Sequence, residues 1–358
     1  MPQLKSKLPP LYHNFFPDFI EKEFPEEKWA TCSACNICRS PKSPYLDTKC
    51  CNYYPHLANY LVGGILQDSR PAMEEGKKRI RQLIQSKQGV TPYGIVPPRW
   101  WHKEQDKLPS GDQDKGVMAN NSELAKCPYL DKGNCTIWDY RENLCSTHFC
   151  FSVGGSHGKA FWKATNGYLK MVENVLSNFA LYQLGIPART LKTVPIKSID
   201  FEIETDGRQT NQEAYSTLWQ GWEGNEEALY IRSYEIVASL DAQKFTDLCG
   251  HNQVILAQSI TELLDTFSQT IIPDYLCLHN DIQIVQHSPS ECILTLGDQQ
   301  ATINPIAYSF LARFDGARTT KSIIDHAYQI MLNLEIPIDE LYRKGMLQPS
   351  VSITYQEV

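Results

Sequence analysis

The feature that most constrains this chain is the uneven distribution of its twelve cysteines. Nine lie between residues 32 and 150, and five of these fall within residues 31 to 51. The N-terminal segment MPQLKSKLPPLYHNFFPDF lacks the apolar core of a signal peptide. We therefore expect a cytoplasmic location, where thiols stay reduced, and a metal site explains so many reduced thiols better than structural disulfides do.

The nine cysteines form two groups. The first has a C-x2-C-x2-C step followed by an adjacent pair, and the second is CPYLDKGNCTIWDYRENLCSTHFC. A C-x2-C pair on a tight turn brings two thiolates to one metal centre, and two such steps in a row are typical of iron–sulfur ligands. The candidate metal ligands are Cys32, Cys35, Cys38, Cys50, Cys51, Cys127, Cys135, Cys145 and Cys150.

The spacing leaves both an iron–sulfur cluster and zinc open as the cofactor. An all-thiolate environment suits either metal, and His148 could replace a sulfur in either kind of site. The C-x2-C-x2-C step and the Cys50-Cys51 pair favour an iron–sulfur cluster, with 4Fe-4S as the favoured type. Because neither group alone resembles a complete site, we expect the two groups to meet in space. Structural disulfides and a thioredoxin-like redox pair are the alternatives.

The order of these motifs resembles the YkgJ-like family of zinc- or iron-chelating cysteine-cluster proteins. The matching stretches are CSACNIC, KCCNYYPHLANYLVGGIL and CPYLDKGNCTIWDYRENLCSTHFC, and together they cover about residues 30 to 180. The last motif fixes Ile137, Trp138 and Arg141 along with four cysteines. The resemblance implies metal binding. Through a branch similar to the flagellin lysine methylases, it also implies methyl transfer to a protein.

The sequence pattern changes after about residue 277. DIQIVQHSPSECILTLGDQQATI predicts three short strands, and PIAYSFLARFDG, ARTTKSIIDHAYQIML and PIDELYRKGML predict helices. This order is similar to the PqqD-like winged-helix module that recognises peptides. The resemblance is carried by TINPIAYSFLARFDGARTTKSIIDHA and LYRKGML. It implies that a peptide binds as an added strand.

The charge balance argues against nucleic acid as a partner. The formal net charge is −7, and residues 304–345 hold five basic and five acidic side chains. A neutral surface cannot supply the phosphate contacts that dominate affinity for DNA. No apolar run approaches the roughly eighteen residues of a membrane span. We expect the partner to be a protein or peptide substrate, or the chain's own N-terminal part, and neither nucleic acid nor membrane.

Hydrophobic periodicity predicts most of the remaining chain as helix. Apolar residues recur at helical spacing between Phe161 and Phe179, and Gly185 marks the end of that helix. Residues 71–88 form a second predicted helix, whose basic run we expect on a solvated face. Residues 211–268 are also predicted to be helical. The stretch RWWHKEQDK instead predicts a polar loop that covers the cysteine site or lines a substrate groove.

These patterns predict an α+β protein that is mainly helical. We expect a cysteine-cluster metal-binding region at 1–156, a helical domain at 157–275 and a winged-helix-like module at 276–358. The predicted function is that of a cysteine-ligated metal-cluster protein, with redox or group-transfer chemistry on a protein or peptide. The alternative is a non-enzymatic protein with a structural zinc or iron–sulfur site, or one that carries metal. The isolated Cys249, Cys277 and Cys292 are expected to be small buried hydrophobes.

Overall fold

The fold is mixed helix and strand and is mainly helical, which confirms the predicted α+β class. A computed structural model describes residues 1–28, 50–106, 126–149, 151–186, 209–330, 334 and 336–350. Within these residues, no helix is long and apolar enough to cross a membrane. The predicted boundaries near residues 156 and 275 stay a prediction.

The chain divides into two compact units. The first comprises Met1–Phe24, Lys49–His148 and Phe161–Glu262. The second comprises Pro25–Thr48, Phe149–Ala160 and Leu263–Val358. Two long helices contribute residues to both units. The helices of the first part of the chain are α1 (Asn59–Gln67), α2 (Glu74–Ser86), α3 (Arg99–Asp106), α4 (Asn143–Thr147), α5 (Gly155–Gln183), α6 (Gln212–Trp219), α7 (Glu226–Ala238) and α8 (Ala242–Gln269).

Short strands complete the first unit. They form a three-stranded antiparallel sheet in the order β1-β3-β2 and a separate two-stranded hairpin of β4 and β5. Short 3-10 turns at 4–7, 10–14 and 18–21 precede them. The strands are β1 (Leu57–Ala58), β2 (Val90–Thr91), β3 (Gly94–Ile95), β4 (Leu130–Asp131) and β5 (Asn134–Cys135).

The close packing of α1 against α7 lies at the centre of the first unit. Gly63 permits it, because a Cβ at that position would lie 1.9 Å from the carbonyl oxygen of Tyr230. Gly64 likewise leaves room for the ring of Tyr140. The Tyr230 hydroxyl donates to the Thr91 carbonyl at 2.6 Å and ties α7 to β2. A rigid core therefore supports the segment around Tyr140, which leads into α4.

The helix predicted from the apolar spacing between Phe161 and Phe179 is confirmed as part of α5. The side chains of Phe161, Tyr168, Val172 and Leu176 are buried, as an amphipathic helix against a core requires. Gly185 follows the helix with φ of +80°, a left-handed conformation that favours glycine at a helix end. The helix therefore ends close to Gly185, as the sequence predicts.

The prediction of a polar loop over RWWHKEQDK is wrong, because the stretch begins α3. Trp101 is buried, and its ring packs edge-on to Tyr54 with 6.2 Å between centroids. Trp100 is half-buried and donates from its indole nitrogen to Gln88. Burial of one tryptophan in an apolar core stabilises a helix where the polar residues alone would suggest a loop.

The second unit contains two three-stranded antiparallel sheets. The predicted meander is confirmed, with strands in the order β7-β8-β9. The other sheet has the order β10-β6-β11, and the sequence analysis missed it. The strands are β6 (Tyr275–Leu278), β7 (Gln283–Ser288), β8 (Glu291–Leu296), β9 (Gln299–Ile303), β10 (Asp315–Thr319) and β11 (Leu347–Pro349).

Three short helices accompany these sheets at the predicted places. They are α9 (Pro305–Leu311), α10 (Thr320–Ile330) and α11 (Ile338–Arg343). Asn304 caps α9, since its side-chain oxygen accepts from the Ile306 amide at 2.8 Å. Gly316, the expected end of this helix, lies instead in β10.

Candidate metal centre

The predicted ligand Cys135 lies in a β-hairpin, and the predicted ligand Cys127 lies just before the first strand of that hairpin. β4 and β5 pair with Leu130 opposite Cys135. The turn residues Lys132 and Gly133 have φ of 45° and 82°, as a type I′ turn requires. The Leu130 amide donates to the Cys127 carbonyl at 3.1 Å. The hairpin and the turn before it therefore hold Cys127 and Cys135 in one small substructure.

The Cys50-Cys51 pair lies against this substructure. Both residues belong to a 3-10 turn, Cys50–Asn52, and both are half-buried. The Cys127 amide donates to the Cys51 carbonyl at 2.6 Å. The expectation that the two cysteine groups meet is therefore confirmed for Cys51 and Cys127.

Cys145 joins these residues from α4. Burial raises the pKa of its thiol, and the charges of Glu142, Cys127, Cys135 and Cys51 raise the pKa further. Burial likewise raises the pKa of Cys127, with added repulsion from Cys51 and Cys135. We call Cys51, Cys127, Cys135 and Cys145 the thiol cluster.

The chemistry of the thiol cluster fits a bound cation. Cys127, Cys135 and Cys145 are free thiols. Buried thiolates that repel one another ionise together only when a positive charge balances them, and zinc or an iron–sulfur core supplies that charge. The Arg141 guanidinium and the Ile137 amide already favour the thiolate of Cys135, although burial raises its pKa overall.

The described part of the thiol cluster is not a complete coordination shell. Within the described residues, no three His, Cys, Asp or Glu side chains are placed to hold one metal ion. The predicted ligands that lie outside the described residues are Cys32, Cys35, Cys38 and Cys150.

Two buried carboxyl groups, which the sequence analysis missed, lie beside the thiol cluster. Glu142 precedes α4 and is 1% exposed, and Glu173 lies in α5 and is 5% exposed. Each leaves its Oε1 atom without a hydrogen-bond partner among the described residues. Burial raises the pKa of both, and the Glu142 charge raises that of Glu173 further. We call Glu142 and Glu173 the carboxyl pair.

Glu142 connects the carboxyl pair to the thiol cluster. Burial raises the pKa of Glu142, while the amides of Leu144 and Cys145, the Cys145 thiol and the Tyr53 hydroxyl lower it by favouring the carboxylate. Burial and the Glu142 charge raise the pKa of Tyr53. The Glu142 carboxyl group and the candidate ligand Cys145 thus influence each other's protonation.

Glu173 belongs to a buried polar network. The Asn143 amide nitrogen donates to its Oε2 atom. Asn166 donates to the Asn143 side-chain oxygen at 3.0 Å and to the Thr147 hydroxyl at 3.1 Å. This network ties α5 to α4, the helix that carries Cys145. Within this network, the Glu173 Oε2 atom has a partner and the Oε1 atom has none among the described residues.

The sequence does contain signals for the carboxyl pair. Glu173 follows Leu169 by four positions and Val172 by one, so it falls within the apolar stripe of α5. A charged residue on a buried helix face is costly unless it has a partner or a function. Glu142 immediately precedes a helix start, where carboxylates cap free amides. Only the fold shows that the two residues approach each other.

The remaining motif residues have structural contacts. Ile137 is buried, and Trp138 is 52% exposed. The Arg141 guanidinium stacks 3.4 Å from the centre of the Trp138 ring and donates to the Lys7 carbonyl at 3.3 Å. His148, considered as a substitute ligand, is exposed. These contacts give Ile137 and Arg141 structural roles that need no bound metal.

The isolated cysteines mostly behave as expected. Cys249 and Cys292 are buried, which confirms the prediction for them. Cys277 is half-buried in β6, and its thiol contacts the Gln348 carbonyl at 3.6 Å.

Comparison with protein-family models, with curated proteins and with solved structures finds no match to this chain. The candidate function therefore rests on the residues themselves.

Proposed function

We propose that this chain is a cysteine-ligated metal protein whose ligands include the thiol cluster. The observation that carries the proposal is the convergence of half-buried thiols from three separate segments of the chain. Burial, with added repulsion from the neighbouring thiols, raises the pKa values of Cys127 and Cys145 there. A metal is the ordinary means by which a cytoplasmic protein keeps such thiols reduced and ionised.

The favoured cofactor is an iron–sulfur cluster of the 4Fe-4S type, and zinc is the alternative. The nine-cysteine ligand set and its C-x2-C-x2-C step support the cluster. An iron–sulfur cluster would supply one-electron chemistry when bound. The residues of the chain would hold the cluster through thiolates, shield it through the surrounding core and keep a proton on the carboxyl pair.

Two functions follow from such a site. The first is redox or group-transfer chemistry, such as methyl transfer, on a protein or peptide. Glu142 favours this function, since a buried carboxyl group beside a proposed ligand can hold or release a proton during a reaction. The second is a closed structural site or the carriage of metal. An open coordination position would favour the first function, and a closed four-thiolate site would favour the second.

Metal and sulfide analysis of the anaerobically purified chain tests the proposal. We expect iron with a matching amount of acid-labile sulfide, or zinc without sulfide if the alternative holds. Replacing Cys127, Cys135 and Cys145 together should abolish the bound metal, because the proposal makes these three thiols ligands. The double replacement of Cys249 and Cys292 is the control and should leave the metal content unchanged. A wild-type chain without bound metal would refute the proposal.

A peptide-binding role for the C-terminal module is a second candidate, and the edge of β9 favours it. Lys344 donates to the Gln300 carbonyl. Apart from that contact, no described group hydrogen-bonds the β9 backbone on the side away from β8. An open edge offers unpaired amides and carbonyls that an extended peptide can complete.

The ion pairs of the module oppose the rival DNA-binding function. Arg318, Lys321, Arg343 and Lys344 each pair with a carboxylate no more than four positions away. Such pairing leaves little positive potential for phosphates. We expect the full-length chain to bind duplex DNA more weakly than about 1 µM at physiological salt, the tight end of non-specific affinity. Fluorescence anisotropy checks this, and tighter binding would favour the DNA function instead.

A further inference from the structure

Arg79 is bound to the segment that carries two of the proposed ligands. Its Nη1 atom donates to the carbonyl oxygens of Pro128 at 2.9 Å and Leu130 at 3.0 Å. Its Nη2 atom donates to Asp131 at 3.0 Å, and its Nε atom donates to Glu75 at 2.7 Å. The side chain is 22% exposed. The prediction that the basic residues of this helix lie on a solvated face is therefore wrong for Arg79.

The hairpin residues that Arg79 contacts lie between Cys127 and Cys135 in the chain. Pro128 directly follows Cys127, and Leu130 is the register partner of Cys135. A guanidinium group is a rigid planar fork with five N–H donors, so it can fix several carbonyl oxygens at once. The conformation of the Cys127 turn is thereby tied to α2, which does not itself contain a ligand.

The same helix also meets the other strand of the hairpin. A Cβ at Gly76 would lie 2.5 Å from the Thr136 carbonyl oxygen, so α2 approaches the backbone directly after Cys135. Ile80 on the next turn is fully buried. Helix α2 therefore contacts the segment after Cys127 through Arg79 and the segment after Cys135 through Gly76.

We propose that Arg79 is a positioning residue that sets the geometry of Cys127 and Cys135 in the metal centre. The inference rests on the proposed function and names a residue outside the ligand set. Groups that orient ligands through hydrogen bonds commonly change metal affinity by about 10–100-fold when they are removed. Arg79 acts through the backbone of its targets and does not contact the metal.

The test compares Arg79 with a second arginine on the same helix. Arg81 makes a two-pronged ion pair with Glu227 on α7 and contacts no residue of the hairpin. Arg79→Ala should weaken metal binding by about 10–100-fold in a chelator competition and alter the visible or circular-dichroism spectrum of the bound metal. The metal affinity of Arg79→Lys should lie between those of Arg79→Ala and the wild type, because an ammonium group keeps the charge but lacks the planar fork of donors. Arg81→Ala should match the wild type in both measurements.

A measurement without metal keeps the inference separate from the proposed function. In the metal-free chain, Arg79→Ala or Arg79→Lys should speed maleimide labelling of Cys127 and Cys135 by roughly tenfold, because the turn opens more often. Labelling of Cys249, followed by mass spectrometry, should stay at the wild-type rate. Unchanged labelling of Cys127 and Cys135 would overturn the inference, as would an equal effect of Arg81→Ala. A wild-type chain that binds no metal would refute only the proposed function.

Discussion

Replacing Cys135 or Cys145 by alanine is expected to destabilise the chain far more than replacing Cys249 or Cys292. The first two residues belong to the thiol cluster, and loss of a structural metal removes binding free energy on the order of 10 kcal/mol. Cys249 and Cys292 are buried without a proposed ligand role. Truncation of such a thiol costs about 1–2 kcal/mol.

Denaturant unfolding of the anaerobically purified proteins measures this difference. The total free energy of unfolding of a domain is about 5–15 kcal/mol, so loss of the metal should remove most, but not all, of the stability of the first unit. A chelator-treated wild-type chain is the matched control, and its stability should fall to that of the Cys135→Ala variant. Equal losses for all four alanine variants would contradict a metal site in this part of the chain.

The sequence predicts those elements whose signals are local. The apolar spacing between Phe161 and Phe179 predicts α5, because a helix repeats every 3.6 residues. Asn304 before Pro305 predicts the start of α9 through a side-chain cap. The strands of the meander also follow from short alternating segments separated by turns. In each case, residues that lie close in the chain carry the decisive interaction.

The sheet of β6, β10 and β11 could not be predicted in the same way. Leu276 pairs with Pro349 and Cys277 with Asp315, so each strand acquires its partner from a distant part of the chain. The strands are short and carry little alternation of their own. Their pairing depends on long-range contacts that the fold must first bring together. The loop prediction for the tandem tryptophans of α3 was wrong for a related reason, since burial of Trp101 in the core stabilises the helix.

In the candidate metal centre, too, some features follow from local sequence and others depend on long-range contacts. Cysteine spacing predicts the chemistry of the ligands, because C-x2-C turns place two thiols together without help from the fold. The supporting residues are not encoded by spacing. Arg79 lies 49 positions before Pro128, whose carbonyl oxygen it binds. Glu142 and Glu173 likewise come from different helical segments, and only their tertiary approach reveals a coupled pair.

Glu173 is expected to make the folded chain less stable as the pH rises from the ordinary carboxyl range through neutrality. Burial and the Glu142 charge hold the pKa of Glu173 well above its usual range, although Asn143 opposes this shift. The folded state therefore keeps a proton that the unfolded state releases near pH 4.3. Where the folded state binds more protons, the free energy of unfolding falls as the pH rises, by at most about 1.4 kcal/mol per pH unit for one proton.

The Glu173→Gln variant should lack this loss, since the amide cannot ionise and its oxygen can still accept from Asn143. Below pH 4 the variant and the wild type should have similar stability. At pH 8 and above the variant should be more stable than the wild type, by a difference that grows with pH until the folded wild type also loses the Glu173 proton. Urea unfolding from pH 4 to pH 9 measures the difference at each pH, so that proton release from the thiol cluster, common to both chains, cancels. Glu213→Gln, at an exposed position of α6, should follow the wild-type curve. Parallel curves for Glu173→Gln and the wild type would show that the Glu173 carboxyl group is ionised in the folded state, and would remove it as a proton-holding group beside the metal centre.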